Sequence, residues 1–247
     1  MKDFILLTGA TSAVGQKIAE KLCSEYNLIL HGRNESKLKQ IKNLCSLTSE
    51  VLLWKYDLNT VDKIESDFSE FISQHQIRVT CLIHCAGVLN IMPIKVTSIA
   101  EIKETLNVNF ISVTQLIKSL ISRKVNQSAF RNAVFISSIA SNFGAKAFGI
   151  YSASKCALDA FMRCMAVELA PNVRLNSILP GAIYSEMTEN IFSNEELISR
   201  MKLDYPLGLG QPLDVANLVE FLVSDKSKWI TGQQFIIDGG RTINISG

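Results

Sequence analysis

The chain has 247 residues, of which 47% are hydrophobic and 19% charged, with a formal net charge of +2. That length and apolar content suit one large core, a single domain over 1–247, and so weak a charge gives no sign of a nucleic-acid or membrane-surface partner. No stretch reaches the ~20 apolar residues of a membrane span. The six cysteines show no C-x-x-C or histidine-cluster spacing and read as reduced thiols of a cytoplasmic protein with no metal site.

The opening apolar run is cut by Gly9, too short for a signal peptide, and reads as a first strand over 4–8. The octet Thr8-Gly9-Ala10-Thr11-Ser12-Ala13-Val14-Gly15 then leads into a helix from near Ala13. Its spacing departs from G-x-G-x-x-G and matches T-G-x-x-x-G-x-G with Ala13 at the middle glycine. Gly9 permits a tight turn and small residues let the backbone approach a pyrophosphate. The helix N-terminus offers unpaired N–H groups, and Gly15 lets helix and strand pack closely. A second strand, 28–31, runs into Gly32-Arg33-Asn34 and a helix from near Glu35. A third, 51–57, ends on Asp57 before a helix from near Val61, and a fourth, 79–85, ends on Cys85. A helix from near Glu101 precedes the fifth strand, 133–137, which Ser138 follows. A helix from near Tyr151 precedes the sixth, 173–179, which Pro180 follows. Helices from near Glu195 and Pro212 and a strand at 235–237 complete the chain.

Most of these runs are continuously apolar rather than alternating, which suits strands covered on both faces. Strand, helix, strand in series predicts an α/β protein: a three-layer, doubly wound parallel sheet (a Rossmann fold) with right-handed crossovers. Ligands of such sheets bind beyond the C-terminal ends of the strands, where Gly9, Arg33, Asp57, Cys85, Ser138 and Pro180 all fall.

Tyr151-Ser152-Ala153-Ser154-Lys155 puts a phenol and an ammonium four residues apart on one helix face, with Cβ atoms ~5–6 Å apart. Ser138 lies thirteen residues before Tyr151. Phenol, ammonium and hydroxyl are what a hydride-transfer enzyme needs to handle the oxygen of a carbonyl or alcohol.

Alongside these stand Asp57-Leu58, Cys85-Ala86-Gly87, Asn107-Val108-Asn109, Pro180-Gly181, Ile230-Thr231-Gly232-Gln233 and Asp238-Gly239-Gly240. On this set the chain resembles the short-chain dehydrogenase/reductases over nearly its whole length, and is most similar among them to 3-oxoacyl-[acyl-carrier-protein] reductases. Cys85 stands where the family has Asn, and Ala13 where it has Gly. The resemblance implies a nicotinamide dinucleotide lined by Gly9, Thr11, Ser12, Val14 and Gly15 at the first turn and by Arg33, Asn34, Asp57 and Leu58 around adenosine. Cys85, Ala86 and Gly87 would line its middle, and Tyr151, Lys155, Pro180, Gly181, Ile183 and Ser185 its nicotinamide end. NAD enzymes of this type end the second strand with an acid that holds the adenosine 2′-hydroxyl. Arg33 occupies that region without an acid and suits a 2′-phosphate, which predicts NADP(H), with Thr11 and Ser12 as further donors.

By the same resemblance Tyr151 is the general acid of carbonyl reduction, Ser138 binds the substrate oxygen, Lys155 holds the nicotinamide ribose, and Asn109 holds a water that links Lys155 to solvent. A free phenol has a pKa of about 10. A cation about 4 Å away is worth up to ~4 kcal/mol at an effective dielectric of ~20, so Lys155 with oxidised nicotinamide is expected to bring Tyr151 near 7, roughly three units down. The segment 184–206, with Met187, Ile191, Phe192 and Met201, takes the family's substrate-loop position.

The leading expectation is reduction of a ketone, 3-oxoacyl thioester-like and small-molecule or carrier-bound. The alternatives are another alcohol or carbonyl (sugar, aromatic, secondary metabolite) and a non-catalytic dinucleotide sensor. The resemblance further implies a homotetramer, with a dimer as the smaller option. His31, His75 and His84 lack metal-like spacing. The run 161–165 reads as core or subunit contact, and Lys118, Arg123, Lys124 and Arg131 as solvated charges rather than a carrier-protein dock.

Overall fold

The computed structural model describes residues 1–45, 48–184 and 204–244. In chain order the main elements are β1 (Lys2–Thr8), α1 (Ala13–Leu22), β2 (Leu28–Gly32), α2 (Glu35–Leu44), β3 (Val51–Lys55), α3 (Ile64–His75), β4 (Ile77–His84) and α4 (Ile99–Leu106). Then follow α5 (Ser112–Ile121), α6 (Arg123–Asn126), β5 (Asn132–Ile136), α7 (Gly149–Glu168), β6 (Arg174–Pro180), α8 (Pro212–Val223) and β7 (Gln234–Ile237). The seven strands form one sheet in the order β3-β2-β1-β4-β5-β6-β7, and every pairing is parallel.

The unbroken apolar runs are explained by this sheet, because neighbouring residues enter opposite layers. Phe4, Leu6 and Ile29 face a core closed by Phe68 of α3, Leu116 of α5 and Leu158 of α7. Ile5, Leu7, Leu28 and Leu30 face the other, closed by Ile18 of α1, Leu38 of α2 and Val219 of α8. Fully burying one such side chain is worth roughly 1.5–3 kcal/mol. The chain order reverses between β1 and β4, which places the ligand crevice at the ends of those two strands.

Element boundaries differ from the sequence expectation where capping decides them. α4 starts at Ile99, not Glu101, because Ser98 and Glu101 form a reciprocal capping box. A 3-10 turn at Val61–Lys63 precedes α3, and α7 begins two residues before Tyr151. Asp57 lies beyond the end of β3 at Lys55, in a turn where its carboxylate accepts from Asn59 N at 3.1 Å. The expected helix from Glu195 lies outside the described residues, as do Ser185 and most of the 184–206 loop.

Between α4 and α5 the helix widens into a π turn, Asn107–Ile111. Asn109 sits inside it and is fully buried. Such turns are rare and are frequent at functional sites.

Candidate functional site

The turn after β1 is built by close approach. Gly9 has φ +66°, and a Cβ there would lie 2.6 Å from the Ala86 backbone. A Cβ on Gly15 would lie 2.2 Å from the Gly9 carbonyl. Ser12 caps α1: its hydroxyl accepts from Gly15 N at 3.0 Å and donates to Gly9 O at 2.9 Å. In the free chain Ser12 directs its proton to the turn itself while lining the cavity. Its Oγ also lies 3.7 Å from Cys85 Sγ.

Two histidines, which lack metal-like spacing in the sequence, hold this turn from below. His31 Nδ1 accepts from Gly9 N at 3.3 Å, and its Nε2 lies 3.2 Å from Tyr56 O. The pair of bonds fits the neutral ring protonated on Nε2. Burial pushes His31 down to about 4, so it stays neutral. Thr8 Oγ1 accepts from Ala86 N at 3.2 Å and contacts His84 Nδ1 at 2.9 Å, which ties β1 to the turn after β4. Burial, reinforced by the charge of Lys155, holds His84 well below its usual value. The legible signal was position: His31 stands two residues before Arg33, at the end of a strand.

A cavity of about 400 Å³ opens above the turn, a size that suits a small-molecule or cofactor site. It is lined by Gly9, Thr11, Ser12, Val14, Arg33, Asn34, Asp57, Leu58, Cys85, Ala86, Gly87, Tyr151 and Lys155, as the sequence predicts. His31, Lys37, Val88, Val108 and Ser137 line it as well and were not among the expected site residues. Gly15 lies beneath the turn. Asn34 caps α2, its Oδ1 accepting from Lys37 N at 3.1 Å, which brings Lys37 toward the cavity beside Arg33. Asp57 is the one carboxylate among the lining residues.

Pro180, Gly181 and Ile183 do not line this cavity. Gly181 N donates to Ile237 O at 3.0 Å, and Ile183 is buried and bridges to Gly210.

Tyr151 and Lys155 share one face of α7, with Lys155 Nζ 5.7 Å from the centre of the phenol ring. Lys155 is 4% exposed and donates from Nζ to Ile136 O at 2.9 Å. Ser138 lies near enough to Tyr151 to act on its phenol, and its Oγ accepts from Ala140 N at 3.2 Å. Burial pushes the Tyr151 phenol up to about 12, only partly opposed by Ser138. The expected fall toward 7 applies to Lys155 acting together with oxidised nicotinamide; in the free chain the phenol stands above its ordinary value. Burial likewise pushes Lys155 down to about 8.

Asn109 uses its whole amide locally. Its Oδ1 accepts from Val88 N at 2.8 Å, and its Nδ2 donates to Val88 O at 3.0 Å and to Ser154 Oγ at 2.9 Å. Both amide protons are engaged, and the side chain acts as a clamp on the strand-4 exit. A Cβ on Gly87 would meet Asn109 Oδ1 at 3.4 Å and Lys155 Nζ at 3.5 Å, so glycine keeps this corner of the cavity open.

Comparison with known proteins decides the class. A family model described as "Enoyl-(Acyl carrier protein) reductase" matches residues 9–242. The chain is 31% identical to the 3-oxoacyl-[acyl-carrier-protein] reductase of Aquifex aeolicus, with 95% of each covered. The chain belongs to the short-chain dehydrogenase/reductase family. It is also 28% identical to a diacetyl reductase [(S)-acetoin forming] of Staphylococcus epidermidis, over 97% of this chain and 98% of that one. Its fold matches a 4-hydroxyisoleucine dehydrogenase complexed with NADH, with a TM-score of 0.90, 29% identity, and coverage of 99% and 100%.

Membership makes this chain an oxidoreductase of the family that binds a nicotinamide dinucleotide. The residues fit such a group: the glycine turn leaves no room for a Cβ at Gly9, and the N–H groups of Ala13 and Val14 at the start of α1 have no acceptor among the described residues. Other charges prove structural. Lys118 pairs with Glu65 at 2.7 Å, and Arg131 donates to the carbonyls of Ser128 and Phe130. In the run 161–165, Met162 is buried in the core and Cys164 is exposed. Among the described residues there is no metal-binding cluster, and no helix is long and apolar enough to cross a membrane.

Proposed function

We propose that this short-chain dehydrogenase/reductase reduces a ketone, 3-oxoacyl thioester-like, to a secondary alcohol with NADPH. The observation that carries the reading is that Tyr151 and Lys155, on one face of α7, line the same cavity as the glycine turn, with Ser138 near the phenol. A bound NADPH supplies the hydride. Tyr151 then delivers the proton from Oη to the carbonyl oxygen, and the phenol held up to about 12 is the protonated form that this step requires. Ser138 Oγ orients the same oxygen and stabilises the charge that develops on it. Lys155 holds the dinucleotide ribose and places a positive charge beside the tyrosinate that forms.

Arg33, exposed at the cavity rim beside Lys37, supports NADPH over NADH, because a guanidinium and an ammonium there pair a 2′-phosphate. Asp57, beyond the end of β3, faces the adenine side. A homotetramer belongs to the same reading, supported by the exposed apolar residues Val167, Trp229 and Ile236 near α7 and β7. A second reading, a small diketone or alcohol as substrate, is favoured by likeness to the diacetyl reductase.

The test is oxidation of NADPH and NADH in the presence of acetoacetyl-CoA, diacetyl and a sugar panel. Turnover with the thioester, at least roughly a hundredfold weaker in Tyr151→Phe, is the expected result. Turnover with diacetyl alone selects the second reading. A Tyr151→Phe protein that keeps more than about a tenth of wild-type kcat removes Tyr151 from the acid role.

A further inference from the structure

Two adjacent residues at the end of β5 anchor two successive turns of α7. Ile136 O accepts from Lys155 Nζ at 2.9 Å, and Ser137 Oγ donates to Asp159 Oδ2 at 2.8 Å. Asp159 follows Lys155 by four residues, hence on the same helix face. It is 1% exposed, its Oδ1 has no hydrogen-bond partner, and among the described residues no lysine or arginine forms a salt bridge with it. An unpaired buried carboxylate is expensive, and its retention calls for a reason.

From this geometry we infer that Asp159, held by Ser137, is a positioning residue that keeps Lys155 a cation at its place under the dinucleotide site. The inference rests on the role proposed above for Lys155.

The groups around Lys155 can be weighed one by one. From α7 it faces the neutral Tyr151 ring, and the Asp159 carboxylate lies one turn further along the same face. From β5 it meets only the Ile136 carbonyl. From β4 and its exit come His84, which burial keeps neutral, and Cys85. Cys85 favours the ammonium only as a thiolate, and burial pushes its thiol up to about 11, so near neutral pH it carries no charge. From the π turn comes the uncharged amide of Asn109, across Gly87. Burial works to strip the proton from Lys155, and the Asp159 carboxylate is the charge left to oppose it.

The test reads Lys155 directly in the dinucleotide-free protein, by the pH titration of the ¹³Cε signals of lysine-labelled chain, with Lys155 assigned from the signal missing in Lys155→Ala. Asp159→Asn preserves shape and the chance to bond Ser137 while removing the charge. Its Lys155 midpoint is expected to fall by about one pH unit, Asp159→Glu is expected to restore most of the shift, and the remaining lysines should not move. If Asp159→Asn does not fold, Asp159→Ser is read in the same way. An unchanged midpoint in a folded neutral variant overturns the inference. NADPH-dependent diacetyl and acetoacetyl-CoA reduction, followed against pH in parallel, should lose its alkaline limb at correspondingly lower pH. A lowered midpoint in a protein whose wild type reduces neither carbonyl would sink the functional reading and leave the Asp159–Lys155 coupling standing.

Discussion

The backbone N–H of Gly9 donates to Nδ1 of His31, so the turn that closes β1 hangs on a ring from the end of β2. This bond requires the neutral ring. His31 has a folded-state pKa of about 4 against an ordinary 6.5, so its contribution to stability is present above pH ~6.5.

Acidification should therefore loosen the glycine turn. As pH falls from ~6.5 toward 4, the unfolded chain takes up a proton at His31 that the folded chain refuses, and stability drops by up to roughly 3 kcal/mol from this residue. His84, depressed in the same direction, adds to the slope. Urea unfolding at a series of pH values should show the decline, and His31→Gln should flatten part of it. A wild-type stability that stays level from pH 7 to 4.5 would contradict the neutral-ring assignment.

Gly9→Ala is predicted to abolish measurable dinucleotide binding. The new methyl group would sit 2.6 Å from the Ala86 backbone, and φ +66° adds strain of about 1–2 kcal/mol for a residue with a Cβ. Neither backbone can give without breaking the Thr8–Ala86 tie. NADPH fluorescence titration checks the binding and thermal unfolding the fold, with a lower Tm expected as well.

Arg33→Ala should raise the NADPH Kd by roughly tenfold to a hundredfold, the loss of one charge-assisted contact, while leaving NADH nearly unchanged. Lys37→Ala should have the same sign and a smaller size, since its ammonium is a point charge on a flexible stem. Equal losses for both dinucleotides would place Arg33 outside the 2′-phosphate region and withdraw the NADPH preference.

The fold was readable because burial on both faces leaves a plain mark: Ile5-Leu6-Leu7 and Leu28-Ile29-Leu30 show no polar alternation. The Tyr151/Lys155 pair was readable because four-residue spacing fixes a shared helix face. The proton state of Tyr151 in the free chain was not readable, since it depends on how the fold desolvates the phenol and on the nearness of Ser138. The cap that the Ser12 hydroxyl makes on α1 was hidden for a similar reason: a hydroxyl in a turn has neighbours that the sequence does not place. His31 and Asp159 went unread because each acts through a contact made between distant elements, and Lys37 because the Asn34 cap that turns it toward the cavity is not fixed by spacing alone.

The strongest such contact is the Asn109 clamp, and it leads to the last prediction. Asn109→Ala would strand the N–H and carbonyl of Val88 at the cavity wall and leave Ser154 Oγ with Tyr151 O alone. Unpaired buried groups cost about 1–3 kcal/mol each, so a loss of roughly 2–5 kcal/mol is expected if the site relaxes in part. Asn109 is one of the side chains that tie down the π turn, beside Asn107, which bonds Asn59, so its loss should loosen the turn and shift Val108 at the cavity wall. Asn109→Asp keeps the bond from Val88 N but supplies no donor for Val88 O or Ser154, so it should recover only part of the loss. Chemical denaturation of both variants, alongside NADPH titration, measures the two effects. A stability change under about 0.5 kcal/mol in Asn109→Ala would mean that the clamp is not what holds the strand-4 exit in place.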